Sequence, residues 1–305
     1  MRISYSSYNT FKQCPLKYKF QYIDWVKVPE RPEFWFGSLI HEVVQFALRR
    51  DPIIPCLEDL LKYYQSKWQE DKFSSKLESE QYFVLGESML KSFHTDYKPG
   101  LRNVVASEKR FQLPIGKHIL SGVIDRVDKL PIGVYEIIDY KTNKNLPTQE
   151  EVDTDEQLGV YNYAAQILWP EAKDMRLTLY FLKHNTKITS SRRPDQLELI
   201  KYNLIKTADL IEKTVQFKPK KNPFCPWCDY KDKCPVGQKL TMEKEAGPDE
   251  LDQSAKRYFE LKTKLENSES KLSRLMQNKK LDQISVGKGV IYRLKDGCLT
   301  YKEME

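Results

Sequence analysis

The chain has 305 residues, with 50 Lys and Arg against 43 Asp and Glu, for a formal net charge of +7. Its 18 Tyr, 13 Phe and 5 Trp exclude general disorder, because disordered chains are poor in aromatics. No apolar run approaches the roughly 20 residues of a membrane helix, and the opening MRISYSSYNTFKQ does not read as a secretory leader, so a cytoplasmic protein is expected. The mild basic surplus is compatible with a nucleic-acid partner without establishing one.

In chain order, the first hundred residues read as mostly helical. Residues 37–50 (GSLIHEVVQFALRR) place Leu39, Val43, Phe46 and Ala47 near one face, with the basic pair where the helix dipole favours it. Pro52 and Pro55 punctuate the chain, and helical patterns follow at about 57–70 and 78–97, closed by Lys98-Pro99-Gly100. Residues 104–141 then read as three strands, VVASEKRFQL, KHILSGVIDRVDKL and GVYEIIDYK. The turn signals Pro114-Ile115-Gly116 and Pro131-Ile132-Gly133 separate them, and such short connections make antiparallel neighbours. A polar loop leads to a helix at about 156–168, a strand MRLTLYFLKH, a turn, and an amphipathic helix opened by Pro194 and reaching about Val215. This order predicts an α/β fold with a mixed central sheet flanked by helices.

After Gln216 the segment KPKKNPFCPWCDYKDKCPVG is basic, rich in Pro and Cys, and irregular. A long charged helix at about 250–279 spaces Leu251, Tyr258, Leu265 and Leu272 by seven, and either packs on the core or meets a partner in a short coiled coil. The tail VIYRLKDGCLTYKE predicts a hairpin turning at Asp296-Gly297. There is no G-x4-G-K-[ST] motif, so the sequence carries no recognisable nucleotide-driven motor.

Charged residues inside apolar strands cost free energy unless they have partners. In EIIDYK, alternation puts Ile137, Asp139 and Lys141 on one face, with Ile138 and Tyr140 on the other. Asp125, near the end of an apolar run in the preceding strand, is within reach of Asp139 across the hairpin. Two carboxylates and an ammonium there make a site for a hard cation such as Mg²⁺; a partly buried Asp125–Lys141 ion pair is the plainer alternative. Gln157 and Tyr161, four apart, share one helical face. Arg126 points away from Asp125 by alternation, and Glu108 and Asp128 read as surface or supporting groups.

Cys225-Pro-Trp-Cys228-x5-Cys234-Pro supplies three thiols, whereas a cation held by thiolates normally takes four ligands. Cys14, Cys56 and Cys298 are the candidates for the fourth, and Cys14 is followed by proline, as Cys225 and Cys234 are. Disulfides are disfavoured in a chain of this size without an export signal.

Gly37…His41, Gly122-Val-Ile-Asp125-Arg126, Asp139-Tyr140-Lys141-Thr142 and Gln157-x3-Tyr161, in this order, resemble the RecB-like branch of the PD-(D/E)XK nuclease superfamily. The resemblance runs from the first helix to the cysteines, with an aspartate rather than a glutamate in the D-x-K element. It implies a restriction-endonuclease-like core over residues 1–240, with a helical part at about 37–97, a catalytic sheet at about 104–190, and a cysteine staple. Residues 248–305 would form an appendage of a long helix and a hairpin.

By the same resemblance, His41, Asp125, Asp139 and the main-chain carbonyl of Tyr140 would hold Mg²⁺ or Mn²⁺. Lys141 would orient or help deprotonate the attacking water, and Gln157 and Tyr161 would position the lysine or the nucleic-acid backbone. Nucleases of the AddB and CRISPR-adaptation types imply that Cys14, Cys225, Cys228 and Cys234 bind a [4Fe–4S] cluster; a structural Zn²⁺ is the alternative. Basic residues, among them Arg192, Arg193, Lys220 and Lys221, interleave with Tyr161, Tyr163, Tyr180, Phe181, Phe217 and Trp227. With the nuclease motifs they favour DNA that is single-stranded or frayed. The implied activity is that of a metal-dependent exonuclease in DNA repair, recombination or mobile-element processing; with no motor of its own, acting on long duplex would require a helicase, and a recombination or CRISPR-adaptation partner is the alternative. A nuclease of CRISPR spacer acquisition and a catalytically silent DNA-binding subunit are the alternatives.

Overall fold

A computed structural model of the chain describes residues 1–49, 53–97, 103–245, 250–286, 289–293 and 299–303. Pro52, the Lys98-Pro99-Gly100 stop, the Asp296-Gly297 turn and Cys298 lie outside these residues. The chain divides into two compact units, Met1–Pro235 and Val236–Glu305.

The first unit opens with a two-residue strand, β1 (Arg2–Ile3), and a helix, α1 (Tyr5–Gln13), started by a reciprocal capping box between Ser4 and Ser7. Cys14 is extended where α1 ends, and Pro15, which needs no donor partner in a first helical turn, opens α2 (Pro15–Tyr18). The same logic starts α3 (Pro32–Leu48) at Pro32 rather than at Gly37. Helices α4 (Leu57–Lys67) and α5 (Lys76–Asp96) follow, the latter capped by Ser75.

The three expected strands are β2 (Asn103–Ile115), β3 (His118–Lys129) and β4 (Val134–Lys141). The first turn lies later than its proline suggests. Pro114 pairs with Ile119 inside the ladder, on an edge strand that tolerates it, and Gly116 makes the turn at φ 58°. Next come α6 (Gln149–Asp153), α7 (Glu156–Leu168), β5 (Asp174–Phe181), β6 (Thr186–Ser190) and α8 (Pro194–Lys213). Strand β6 occupies a stretch where the sequence signalled only a turn.

The sheet runs β1-β3-β4-β5-β6, with β2 on the other edge of β3. Pairings of β1 with β3 and of β4 with β5 are parallel, and the rest are antiparallel, so the sheet is mixed as expected. One edge of β3 is divided: β1 takes Ile119 and Leu120, and β4 takes residues 126–129. Between them, among the described residues, β3 has no strand partner on that side. This gap positions the site.

Helices cover both faces. Tyr8 and Phe11 of α1, Leu158 and Ala165 of α7, and Leu204 of α8 bury Val127, Ile137 and Leu177. On the other face Ile40 and Val43 of α3, Tyr64 of α4 and Phe93 of α5 bury Ile138, Tyr140 and Tyr180. Strand β4, buried on both faces, is mostly apolar, as central strands are, apart from its C-terminal end and Glu136, whose carboxylate accepts from Thr178 Oγ1 at 2.6 Å.

The second unit comprises most of α9 (Pro235–Glu245), then α10 (Glu250–Asn278) and an antiparallel sheet of β7 (Gln283–Val286), β8 (Gly289–Arg293) and β9 (Leu299–Glu303). Strand β7 adds to the expected hairpin. Helix α10 leaves Tyr258, Leu261, Leu265 and Leu275 exposed. Among the described residues no helix is long and apolar enough to cross a membrane.

Candidate active site

The β3–β4 ladder runs from Lys129↔Tyr135 to Arg126↔Ile138 and stops. Beyond that point the Tyr140 amide donates to the Asp125 carboxylate, Oδ2, at 2.9 Å instead of to a facing strand. The pleat of β3 slips at the same place. Ile124 and Val127 lie in one core although strict alternation would separate them. Opposite Asp125, between the pairs Ser107↔Arg126 and Lys109↔Ile124, stands Glu108 with φ 50°, a left-handed backbone that glutamate rarely adopts.

Two linked clusters fill the opening. In the first, His41 of α3 brings Nδ1 to 3.3 Å from Asp125 Oδ2, and the ligand atoms of His41, Glu108 and Asp125 all lie within 4.8 Å of one another. Gly37, one turn before His41, allows this approach: a Cβ there would stand 3.2 Å from Thr142 Oγ1 at the end of β4. In the second cluster Lys141 Nζ lies 2.6 Å from Asp139 Oδ2 and donates to Gln157 Oε1 at 2.9 Å. Gln157 Nε2 in turn donates to Asp139 Oδ1 at 3.2 Å and to the Tyr161 hydroxyl at 3.0 Å. Asp155 caps α7 through the Leu158 amide, which sets Gln157 in the first turn facing β4.

The electrostatics mark a crowded anionic site. Burial, with Asp125 adding, pushes the Asp139 carboxyl up to about 6 against the opposing charge of Lys141. Burial and Asp125 also raise Glu108. Burial opposes the charge on His41, but the hydrogen bond and charge of Asp125, then Asp139 and Glu108, raise its pKa overall. Lys141 behaves likewise: burial works against its charge, and Asp139 outweighs burial and raises it. Burial and Asp139 raise Tyr161, which keeps its phenolic proton.

Asp139 Oδ2 is buried and receives no hydrogen bond of good geometry, although Lys141 stands beside it as an ion partner. The carboxylates of Glu108, Asp125 and Asp139 and the His41 imidazole form a donor set that fits a hard divalent cation. Glu108 is the member that strand reading left as a surface or supporting group; its position opposite Asp125 in the antiparallel pair is the signal that identifies it. Asp128 is not a surface group either. It is fully buried, because Arg126 binds it through Nε at 2.5 Å and Nη2 at 2.7 Å.

Cys14 lies near the segment that carries Cys225 and Cys228. The Lys220 amide approaches Cys14 Sγ at 3.4 Å, the Asn222 amide approaches Cys225 Sγ at 3.3 Å, and Asn222 Nδ2 bonds the Gln13 carbonyl. The Cys228 thiol is raised chiefly by burial, with Cys14 near enough to contribute. Cys14, Cys225, Cys228 and Cys234 are half-buried free thiols, while Cys56 is exposed and apart. Amides directed at the Cys14 and Cys225 sulfurs are suited to thiolates.

Several expected strand-binding groups make contacts within the scaffold. Arg192 donates to the Val152 and Asp155 carbonyls at 2.8 Å and is tied to the α6–α7 turn. Arg193 is exposed but paired with Asp195, and Lys220 Nζ bonds the Lys12 carbonyl. Tyr180 and Phe181 are core residues, and Phe217 stacks on Tyr18, so of the interleaved aromatics Trp227 is the well-exposed one. Lys221 is exposed.

A mixed sheet between helical layers, opened at a carboxylate–lysine–histidine cluster, defines a restriction-endonuclease-like fold. Residues 2–235 match the PD-(D/E)XK nuclease superfamily, and the chain belongs to it. Similar curated proteins include a component of the ATP-dependent helicase/deoxyribonuclease of Streptococcus agalactiae, 28% identical over 152 residues, which is 47% of this chain and 14% of that protein. The corresponding component from Streptococcus uberis is 29% identical over 115 residues, 36% of this chain and 11% of that one. The matched region is thus a small part of these relatives. A crystal structure from Eubacterium rectale, provisionally described as an exonuclease, has a TM-score of 0.50 at 13% identity, covering 75% of this chain and 87% of that one. That likeness is one of fold.

Proposed function

We propose that this protein is a divalent-metal-dependent DNA exonuclease preferring single strands or frayed ends, its activity residing in the unit Met1–Pro235. The observation that carries the reading is the meeting of His41, Glu108 and Asp125 beside the bonded set Asp139, Lys141 and Gln157. His41, Glu108, Asp125 and Asp139, with the Tyr140 carbonyl, would hold Mg²⁺ or Mn²⁺. The ion would act as a Lewis acid on the phosphodiester and make water a stronger acid. The neighbouring Asp139 favours the charged form of Lys141 against burial. As an ammonium Lys141 would neutralise charge developing on the phosphate and orient the attacking water. Gln157 fixes the direction of that ammonium, and Tyr161 fixes Gln157.

Linear single-stranded DNA should be degraded with Mg²⁺ or Mn²⁺, and a circular single strand should resist. Asp125→Ala and Lys141→Ala should abolish cutting while circular dichroism stays that of the parent; variants that cut like the parent refute the site. The name of the streptococcal relatives supports a helicase as the partner on duplex DNA. We also infer that Cys14, Cys225, Cys228 and Cys234 hold a [4Fe–4S] cluster that staples α1 to the loop after α8. Anaerobically purified brown protein with iron and acid-labile sulfide is expected; stoichiometric zinc in colourless protein overturns it.

A further inference from the structure

Arg126 and Asp128 are an ion pair almost without solvent exposure, at 2% and 0%. Replacing a buried pair by apolar residues is often neutral or stabilising, so stability alone does not account for these two. What they touch does. The third edge of the Arg126 guanidinium, Nη1, donates to the Tyr140 hydroxyl at 3.3 Å, and its face lies over the Tyr97 ring. Both carboxylate oxygens of Asp128 are engaged by the guanidinium, so the fork cannot rotate.

Tyr140 is the residue through which the two halves of the site are joined. Its amide holds Asp125 Oδ2, and its ring meets His41 edge-on with centroids 6.0 Å apart. Phe93 and Tyr180 close around the same ring. Asp125 and His41 thus share one backing residue, and that residue is pinned at its far end by Arg126. We propose that the Arg126–Asp128 pair is a positioning device: it fixes Tyr140 so that Asp125 and His41 are held ready to take the divalent ion. The inference rests on the metal-site reading above.

Manganese binding to the full chain, measured by titration calorimetry without DNA, tests it. Arg126→Met combined with Asp128→Leu removes both charges together, so no lone ion stays buried. This double variant should melt near the parent temperature yet bind Mn²⁺ about 10–100-fold more weakly, the usual effect of removing a group that orients a metal ligand. Its nuclease activity should need correspondingly more Mn²⁺ for half-saturation while kcat at saturating Mn²⁺ stays near that of the parent. Arg126→Lys should not restore affinity, because an ammonium lacks the fork. Tyr140→Phe, which removes only the hydroxyl contact, should weaken Mn²⁺ binding in the same direction.

A folded double variant with the parent affinity overturns the proposal. If the double variant does not fold, an unchanged affinity in Tyr140→Phe overturns it. A parent that binds no Mn²⁺ refutes the metal site itself, and Asp125→Asn, which should abolish binding, identifies the titrated site as this one.

Discussion

Glu108 offers a test in which function and stability should move in opposite directions. Its backbone sits at φ 50°, and its carboxyl is half-buried across from Asp125. Glu108→Gly relieves a left-handed conformation that costs a residue with a Cβ roughly 1–2 kcal/mol. Greater freedom of glycine in the unfolded chain offsets about 0.5–1 kcal/mol of this gain. Loss of a carboxylate facing Asp125 adds to the stabilisation in metal-free protein. The net expectation is about 1 kcal/mol, which for a unit of this size is a rise of roughly 2–4 °C in melting temperature. Glu108→Gln keeps the backbone conformation and removes only the charge, so in EDTA it should melt below Glu108→Gly. If Glu108 is a ligand, both variants should bind Mn²⁺ at least tenfold more weakly and lose activity in proportion, since one removes the donor oxygen and the other its charge. Thermal unfolding in EDTA and calorimetric Mn²⁺ titration read the two effects separately. A Glu108→Gly variant less stable than Glu108→Gln refutes the strain argument, and parent-like Mn²⁺ affinity in both removes Glu108 from the ligand set.

Gln157→Ala leaves Lys141 with Asp139 as its remaining close partner here, so kcat should fall about 10–100-fold in steady-state assays with little change in KM. Gly122 has no room for a side chain, because a Cβ would stand 2.6 Å from the Phe111 ring. Gly122→Ala should therefore lower stability by about 1–3 kcal/mol in urea unfolding, and Phe111→Leu in the same chain should recover part of the loss. Cys14→Ser should lower both iron content and melting temperature, whereas Cys56→Ser, at an exposed position, should change neither.

Much of this molecule was legible because its signals are local. Period-two alternation and short turns located β2, β3 and β4, and the faces of EIIDYK follow from the pleat. What escaped depends on long-range structure. Strand β1 has two residues and exists because β3 accepts it; β6 is a short edge strand whose partner is β5. For Glu108 and Asp128 the sequence leaves surface and supporting positions open, because the place of Glu108 opposite Asp125 and the Arg126 partner of Asp128 emerge only from strand pairing and packing. Arg192 and the aromatics Tyr180 and Phe181 illustrate the converse. Charge and ring count suggest a binding surface, but backbone carbonyls and the core had already engaged them.

The opening between β3 and β4 has a physical cause in the residues that line it. Extending the register from Arg126↔Ile138 by one step would set Asp125 against Asp139. Directly opposed side chains on paired strands lie roughly 5 Å apart at Cβ, and like charges there are destabilising. The strands instead part at that step. Asp125 takes the freed Tyr140 amide as a donor, and Lys141 draws the Asp139 carboxylate to the side of α7. Each acid thereby gains a partner, yet burial and the neighbouring Asp125 charge still hold the Asp139 carboxyl up. Complete neutralisation by the protein would leave nothing for a cation to improve. On the proposed reading, that residual anionic charge is what a cation at the break in the ladder would relieve, so metal affinity should depend on the same two acids that keep the strands apart.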